Sequence, residues 1–255
     1  MIPVDDLGEP VVVDAPSRVV SLVPSLTEAV PEGVLVGVTD YCPVDLARVG
    51  GSKYPDIDRV LALRPDLVLA NVEENRAEDV ARLRANGVQV WVTAAPATVL
   101  AALGSLRRLL ATAWDVEPSW LVAAEQEWRH VEPRWATAVV PVWRRPWIVL
   151  GRDTFAGDVL HRLGVANAYA DHAERYPRPS LAELNAVGAD LVVLPDEPYA
   201  FSATDGPEAF PGLRSALVSG RHLTWYGPSL VAARDVLRSA LAQRGWDTSA
   251  SAPKK

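Results

Sequence analysis

Two kinds of spacing between apolar residues alternate along this chain, and the alternation runs through the same order twice. Short continuous apolar runs are typical of strands buried on both faces, whereas apolar residues three and four positions apart are typical of amphipathic helices. The phrase Pro-Asp-Leu-Val-Leu-Ala at residues 65–70 returns as Ala-Asp-Leu-Val-Val-Leu at residues 189–194. The pattern therefore predicts two similar, Rossmann-like α/β lobes with parallel sheets.

The apolar runs and the residues that interrupt them predict the individual elements. Strands are predicted at residues 11–13, 19–23, 35–38, 67–70, 88–92, 139–143, 147–150, 191–194 and 222–225. Helices are predicted at 57–63, 78–85, 98–114, 118–131, 155–163, 180–187 and 229–244, with a further helix opening at Ser25. Ser25 with Glu28, and Ser180 with Glu183, have the spacing of a capping box, in which a serine begins a helix and pairs with a glutamate three residues later.

One long helix, predicted over residues 118–131, joins the two lobes. At 1.5 Å per residue it spans about 20 Å, enough for a stiff strut. The predicted organisation is an N-terminal lobe at residues 1–114, a connecting segment at 115–133, a C-terminal lobe at 134–248 and a disordered tail at 249–255. Ligands of open parallel sheets bind beyond the carboxyl ends of the strands, so a cleft between the lobes is the expected site.

The amino-acid composition and the net charge argue against several classes of binding partner. The net charge of the 255 residues is -7, with acids and bases interspersed, whereas a nucleic-acid surface needs a basic stripe. Cys42 is the single cysteine, so no intramolecular disulfide forms. No apolar run reaches the length of a membrane span, and the acidic start lacks the features of a secretory signal. As written, the sequence predicts a cytoplasmic protein without membrane insertion; an extracytoplasmic location is the alternative if a signal precedes it.

The segment from Trp143 to Trp147 is the most suggestive short motif, because Arg144 and Arg145 lie between two tryptophans. Two guanidinium groups between flat rings are suited to an anionic ligand or to the carboxylates of a ferric chelate. The alternative is an exposed turn whose tryptophans pack inward.

Other candidate residues follow predicted strands. Tyr41 suits stacking on a macrocycle, and Cys42 is either a thiolate near a metal or a small buried side chain. Glu73, Glu74 and Asn75 either contact a ligand or form a solvated helix start. Further candidates are Glu197, Tyr199, Phe201, Trp225 and Tyr226, for which the alternative is the edge of the core. No histidine pair has the spacing of a helical zinc site, and no metal ligand is predicted.

The order and spacing of several motifs resemble the helical-backbone metal receptors, the substrate-binding proteins of ABC importers for cobalamin and ferric siderophores. The motifs are residues 18–28, which include Pro24 and Ser25, and residues 36–42, 50–52, 63–70, 176–184 and 189–194. The resemblance implies two lobes joined by a rigid helix, a shallow cleft and no covalently required cofactor. It also implies docking on a membrane permease through one surface carboxylate per lobe; Glu74 and Glu78 are the candidates on the first lobe, and no acid occurs at residues 225–228 of the second.

These observations leave three readings of the function. The first is a binding protein that holds a corrinoid or a ferric-siderophore chelate in the cleft. The second is a chelate-processing enzyme on the same scaffold, with Glu73, Glu74 and Glu197 as the candidate bases. The third is a cytoplasmic sensor or partner-binding module. The first is preferred because the sequence contains no nucleophile elbow, phosphate-binding loop or catalytic triad.

Overall fold

The computed structural model describes residues 2–243 of the chain, which form two compact units. Residues 2–95, 100–125 and 226–228 belong to the first unit, and residues 96–99, 126–225 and 229–243 belong to the second. The last segment of the first unit is therefore only three residues long and is flanked on both sides by residues of the second. The predicted end of the second lobe at residue 248 and the predicted tail at 249–255 lie outside the described residues.

The first unit is built on a five-stranded parallel sheet. Its elements, with the two helices that contain boundaries between the units, are β1 (Val19–Ser21), α1 (Pro24–Thr27), β2 (Leu35–Val38), β3 (Ala47–Arg48), α2 (Ile57–Ala62), β4 (Leu67–Asn71), α3 (Ala77–Ala85), β5 (Gln89–Thr93), α4 (Val99–Trp114) and α5 (Ser119–Trp128). The strand order is β3-β2-β1-β4-β5. The carboxyl ends of β1, β4 and β5 therefore lie side by side, which determines the position of the candidate site.

The second unit carries a four-stranded parallel sheet and a separate two-stranded antiparallel one. Its elements are β6 (Ala136–Val139), β7 (Pro141–Trp143), β8 (Ile148–Val149), α6 (Phe155–Arg162), β9 (Val165–Asn167), α7 (Leu181–Ala186), β10 (Leu191–Pro195), β11 (Arg214–Val218), α8 (Gly220–Thr224) and α9 (Leu230–Ala242). The parallel sheet has the order β11-β10-β6-β9. The α/β class with two parallel-sheet units, predicted from the sequence, is confirmed.

The predicted apolar runs form buried interior strands in both units. All five residues of β4 and all five of β10 are buried, as expected for strands covered on both faces. In the first unit Val68 packs with Leu22 and Val90. In the second unit Val192 packs with Val139 and Phe210. The repeated Asp-Leu-Val phrase thus marks an interior strand of each parallel sheet.

Two capping predictions have opposite outcomes. The capping box at Ser180 and Glu183 is confirmed, with both reciprocal bonds present. The one at Ser25 is wrong: the residue before the first turn of α1 is Val23, Pro24 occupies the first turn, and no side chain caps the helix. Proline lacks an N–H and has a fixed φ, which suits the first turn and moves the helix start ahead of the serine.

Three predicted strands are wrong in position. Residues 11–13 form no strand, and Val12 is 65% exposed. The run at 139–143 divides into β6 and β7, because Pro141 cannot donate to a continuing ladder. The strand predicted at 222–225 lies instead at Arg214–Val218, and residues 220–224 form α8. The strand β11 is defined by its parallel pairing with β10, which is remote in the chain. The local spacing of apolar residues gives no sign of such a pairing.

The observed ends of the helices agree more closely with the prediction than those of the three strands above. The predicted helix over 118–131 is observed as Ser119–Trp128. The helix predicted over 229–244 is observed as Leu230–Ala242, and Arg244 lies outside the described residues. Arg214 donates to the Leu241 carbonyl at 2.8 Å and so supports the end of α9. Among residues 2–243, no helix has the length and apolar character needed to cross a membrane.

Candidate functional site

Six polar side chains meet at the carboxyl edge of the first unit's sheet. This first-unit polar cluster consists of Ser25, Ser52, Asn71, Glu74, Thr93 and Tyr226. Asn71 ends β4 and Thr93 ends β5, so adjacent strands deliver them to the same place. The Asn71 amide donates to the Thr93 hydroxyl at 3.0 Å and to the Tyr226 hydroxyl at 3.2 Å. The cluster therefore joins residues that are far apart in the chain.

Glu74 is the half-buried carboxyl of this cluster. Burial raises its pKa from 4.5 to about 7, because the charged form loses hydration. The negative charge of the neighbouring Glu73 adds to the increase, and a hydrogen bond with Ser52 opposes it. Glu73 itself is exposed. A carboxyl that changes charge near neutral pH among polar side chains is a candidate functional group.

Tyr226 is the second titratable member of the cluster and is 7% exposed. Burial raises the pKa of its phenol, and the charge of Glu74 raises it further, whereas contacts with Ser25 and Thr93 oppose the increase. Tyr226 belongs to the three-residue segment that groups with the first unit. Gly227 in the same segment lies close to the Glu28 side chain, since a Cβ there would be 2.5 Å from its carboxyl. The raised pKa keeps the Tyr226 phenol neutral at physiological pH.

Two of the predicted binding residues, Cys42 and Asn75, are buried and interact with other residues of the first unit. Cys42 is 3% exposed, and its sulfur lies 3.2 Å from the Thr27 hydroxyl. Asn75 is 5% exposed, and its amide donates to the Ser52 carbonyl at 2.8 Å and to the Leu22 carbonyl at 3.3 Å. These side chains hold loops together, because their polar atoms are already used within the unit.

The remaining predicted residues of the first unit differ in accessibility. Tyr41 is 71% exposed, Pro24 is half-buried and Ser25 is 4% exposed. The Glu78 side chain is 68% exposed and lies 3.3 Å from the Arg76 guanidinium. Of the two carboxylates predicted to dock on a permease, Glu78 therefore has the accessibility that a docking surface requires, whereas Glu74 belongs to the first-unit polar cluster.

In the second unit, five rings form an aromatic cluster: Trp143, Trp147, Tyr199, Phe201 and Phe210. Trp143 packs edge-on against Tyr199, with their centroids 5.7 Å apart. Trp147 stacks on Phe201 at 6.1 Å and meets Phe210 edge-on at 5.3 Å. The predicted turn between β7 and β8 therefore packs the half-buried Trp147 against the core, while Trp143 stays 43% exposed. The alternative of an inward-packing tryptophan therefore applies to Trp147, whereas ligand contact by Trp143 stays a prediction.

The two arginines of this turn also differ. Arg144 pairs with Asp205 and lies 2.6 Å from the Glu208 carboxylate, and its side chain is 14% exposed. A hydrogen bond from Tyr199 lowers the pKa of Asp205, and the charge of Arg144 contributes. Arg145 is exposed at the tip of the turn. The positive charge of Arg144 is thus neutralised within the unit, which leaves Arg145 as the accessible cation of the motif.

A third group of side chains follows β10 and β11 and is called the Glu197 group: Asp196, Glu197, Arg221 and Trp225. Burial raises the pKa of Glu197, and the charge of Asp196 adds to the effect, whereas Arg221 and Trp225 oppose it. The Arg221 guanidinium lies over the Trp225 ring at 4.9 Å. Trp225 follows α8 and not a strand as predicted, yet it still lies near Glu197. Among the described residues, no group of three or more His, Cys, Asp or Glu side chains is placed to hold a metal ion.

Comparison with known proteins identifies the family. A family profile described as periplasmic binding protein matches residues 27–210, which is well over half of the chain. The chain belongs to the periplasmic binding protein family. A curated relative, the vitamin B12-binding protein of Salmonella choleraesuis strain SC-B67, is 27% identical over 202 residues, which cover 72% of this chain and 74% of that protein.

Solved structures agree on the fold of this periplasmic binding protein. The vitamin B12-binding protein BtuF of Vibrio cholerae superposes with a TM-score of 0.72 at 20% identity, covering 90% of this chain and 99% of that one. The heme-binding protein HutB of Vibrio cholerae gives a TM-score of 0.68 at 18% identity, covering 89% and 99% of the two chains. The resemblance stated from the sequence motifs is thereby confirmed at the level of family and fold.

Several members of these groups were not predicted from the sequence. Ser52, Asn71 and Thr93 belong to the polar cluster, and Asp205 and Glu208 pair with Arg144. Asn71 and Thr93 directly follow the strands predicted at 67–70 and 88–92, so their positions after strands were a usable signal. Asp205 lies 61 positions from Arg144, and no local pattern connects them.

Gly220 is required for the close approach of two chain segments in this periplasmic binding protein. A Cβ at this position would lie 2.6 Å from the Glu197 carbonyl oxygen and 2.7 Å from its backbone nitrogen. We expect Gly220→Ala to destabilise the protein by about 2 kcal/mol, because the backbone must move. Urea unfolding measures the effect. Gly212→Ala is the matched control, since its Cβ meets nothing within 4 Å, and an equal loss in both variants would contradict the argument.

Proposed function

We propose that this protein binds a metal chelate, a corrinoid, heme or ferric siderophore, and delivers it to an ABC permease. Membership of the periplasmic binding protein family supports a binding role, and the relatives described above carry the names of binding proteins and not of enzymes. The bound chelate is cargo, so no covalently held cofactor is required. The enzyme reading and the sensor reading have no specific observation in their favour.

The observation that carries the proposal is the half-exposed ring of Trp143 on the aromatic cluster. A large flat ring that is 43% exposed yet fixed edge-on against Tyr199 offers a rigid surface for a flat ligand. Aromatic side chains contribute large contact areas with little loss of conformational freedom. Arg145 lies two positions away and is exposed, so a cation is available at the edge of that surface.

The test is a titration of tryptophan fluorescence with cyanocobalamin, hemin and ferrichrome. We expect one of these coloured chelates to quench the emission saturably at one equivalent. Trp143→Ala should weaken that binding about tenfold, equivalent to about 1.4 kcal/mol, because a buried contact of the ring is lost. Trp135→Ala is the control, since Trp135 lies in the same unit and has a comparable exposure, 49%.

Unchanged affinity in the Trp143→Ala variant, with folding preserved, would remove the aromatic cluster from the binding site. No saturable response to any of the chelates would contradict the proposed function itself. These two outcomes are separate, because the first requires a ligand that binds the wild type.

We also propose an extracytoplasmic location, the alternative left open by the sequence. A binding protein that supplies an importer meets its cargo before the membrane, and the similar structures are described as periplasmic. Expression of the complete gene followed by fractionation of the cells tests this. Recovery of the protein in the cytoplasmic fraction alone would contradict the location and would favour a sensor.

A further inference from the structure

A cavity lies at the amino edge of the second unit's parallel sheet. Its volume is about 370 Å³, within the range of roughly 300–1,000 Å³ in which proteins bind small molecules. Trp135 directly precedes β6, and Arg214 begins β11. The lining also includes Glu132, Leu163, Arg238 and Leu241. None of these residues belongs to the first-unit polar cluster, the aromatic cluster or the Glu197 group, so this amino-edge cavity is a separate candidate site.

Trp135 gives the amino-edge cavity a fixed aromatic wall. Its side chain is 49% exposed, yet its Nε1 donates to the Leu163 carbonyl at 2.9 Å. A Cβ on Gly164 would lie 2.7 Å from the Trp135 ring, so the backbone packs directly against the edge of the ring. Leu163 and Leu241, each 2% exposed, add apolar surface to the lining. A large ring held in this way can stack on a flat ligand with little loss of conformational freedom.

Arg214 gives the cavity a cation in a fixed position. Its guanidinium carbon lies over the Trp135 ring, 5.8 Å from the centroid. Its Nη1 donates to the Leu241 carbonyl at 2.8 Å and to the Gln243 carbonyl at 3.1 Å. Within residues 2–243 no carboxylate pairs with this guanidinium. A guanidinium has five N–H donors, so Arg214 keeps donors for an anionic ligand beside the ring.

The other charges around the cavity leave it positive. Glu132 contributes a carboxylate to the lining, and a hydrogen bond from Arg238 lowers its pKa. Arg234 donates to the same carboxylate at 2.9 Å and also lies 3.1 Å from Glu127. Three guanidinium groups, with that of Arg214, therefore face two carboxylates. The Arg238 side chain is 54% exposed, so it adds accessible donors at the margin of the cavity.

We propose that the amino-edge cavity binds a small aromatic carboxylate, with its ring on Trp135 and its carboxylate on Arg214. A guanidinium and a carboxylate form two parallel hydrogen bonds, and the stacked ring covers the exposed indole. A cationic ligand would be repelled by the excess of guanidinium groups, and an aliphatic acid would leave the Trp135 ring exposed. The inference goes beyond the proposed function, because this site and its ligand are separate from those of the chelate.

The experiment is a calorimetric titration of the full chain with indole-3-acetate at neutral pH. We expect one saturable site with a dissociation constant of about 1 mM or less, as is usual for a ligand of this size. Indole-3-acetamide has the same ring without the charge and should bind about tenfold more weakly. Tryptamine carries an ammonium group and should bind more weakly still. Equal affinities for the three compounds would overturn the recognition of a carboxylate.

Variants assign the binding to the cavity. Trp135→Ala should weaken the binding of indole-3-acetate about tenfold, because the stacking surface is lost. Tyr176→Ala is the matched control, since Tyr176 is 41% exposed in the same unit and does not line the cavity; its affinity should equal that of the wild type. An unchanged affinity in Trp135→Ala overturns the site.

A second variant tests the cation. Arg214→Lys keeps the positive charge but loses the planar pair of N–H donors, and it should bind indole-3-acetate several-fold more weakly than the wild type. Circular dichroism checks its folding, because Arg214 also supports the end of α9. If this variant does not fold, Arg238→Met takes its place, since Arg238 is exposed at the margin and should also lose several-fold. Full affinity in a folded Arg214→Lys variant contradicts the proposed carboxylate contact.

A third variant distinguishes a free ligand from the chain itself. Trp246 and Asp247 follow Gln243 in the sequence, lie outside the described residues and carry the same two kinds of group. We expect Trp246→Ala to bind indole-3-acetate as the wild type does. Binding by Trp246→Ala but not by the wild type would assign the cavity to this segment of the chain and overturn the inference. Absence of binding to both proteins overturns it as well.

Discussion

The Glu74→Gln variant is expected to be about 3 kcal/mol more stable than the wild type at pH 8 and equally stable at pH 4. Burial raises the pKa of Glu74 from 4.5 to about 7, and a displacement of this size corresponds to about 3 kcal/mol. Below pH 4.5 the carboxyl is protonated in both the folded and the unfolded chain, so replacing it by a neutral amide changes little.

The sign follows from proton binding. Between pH 4.5 and 7 the unfolded chain loses the Glu74 proton while the folded chain retains it, so the free energy of unfolding decreases as the pH rises. Glutamine has no titratable proton, so the free energy of unfolding of Glu74→Gln should not show this decrease. Urea unfolding of both proteins across pH 4 to 8 measures the difference in stability at each pH.

Two further variants make the measurement specific to this carboxyl. Glu73→Gln removes the like charge that contributes to the raised pKa, so its own stability should decline less steeply with pH than that of the wild type. Glu32→Gln, on an exposed residue, should run parallel to the wild type. A constant difference between Glu74→Gln and the wild type at all pH values would contradict the buried carboxyl.

The Trp147→Ala variant is expected to lose about 3 kcal/mol of stability, whereas Trp143→Ala should lose less than about 1 kcal/mol. Trp147 stacks on Phe201 and meets Phe210 edge-on, and both phenylalanines are buried. Removing its ring abolishes both ring contacts and exposes apolar surface of the core against which the half-buried Trp147 packs. The Trp143 ring is 43% exposed, so its removal leaves little void.

Thermal and urea unfolding of the two variants tests this division. Trp147→Phe is the matched control, because it keeps a ring in the core and should recover most of the lost stability. If Trp143→Ala proved the more destabilising variant, the assignment of Trp147 to the core and of Trp143 to the surface would be wrong. The two variants thus distinguish Trp147, which stabilises the fold, from Trp143, which is proposed to contact the ligand.

These variants also separate the roles that the sequence combined in a single motif. The spacing of Trp143, the two arginines and Trp147 indicated one anion-binding device. In the structure the half-buried Trp147 packs against the core and Arg144 belongs to an ion-pair network, whereas Trp143 and Arg145 are exposed. The motif was recognisable because aromatic and cationic residues are rarely so concentrated, but the direction of each side chain depends on the turn and on its distant partners.

The amino-acid sequence alone determined the fold class and the positions of the principal strands. Apolar runs and helical spacing are local properties, so β4 and β10 could be recognised from a few consecutive residues. The cap at Ser180 is equally local, since both of its bonds join residues three positions apart. The motifs that resemble the metal-receptor family are likewise continuous segments, which the family comparison confirms.

The tertiary structure alone decided which residues meet. Asn71 and Tyr226 are 155 positions apart, and their hydrogen bond exists because the short segment 226–228 returns to the first unit. The strand β11 was missed because it is defined by its pairing with β10. The helix α8 was predicted as a strand because its short apolar pattern fits the spacing of a helix as well as that of a strand. The pKa of Glu74 is set by burial. Such properties depend on strand order and on long-range packing, which the spacing of residues along the chain does not encode.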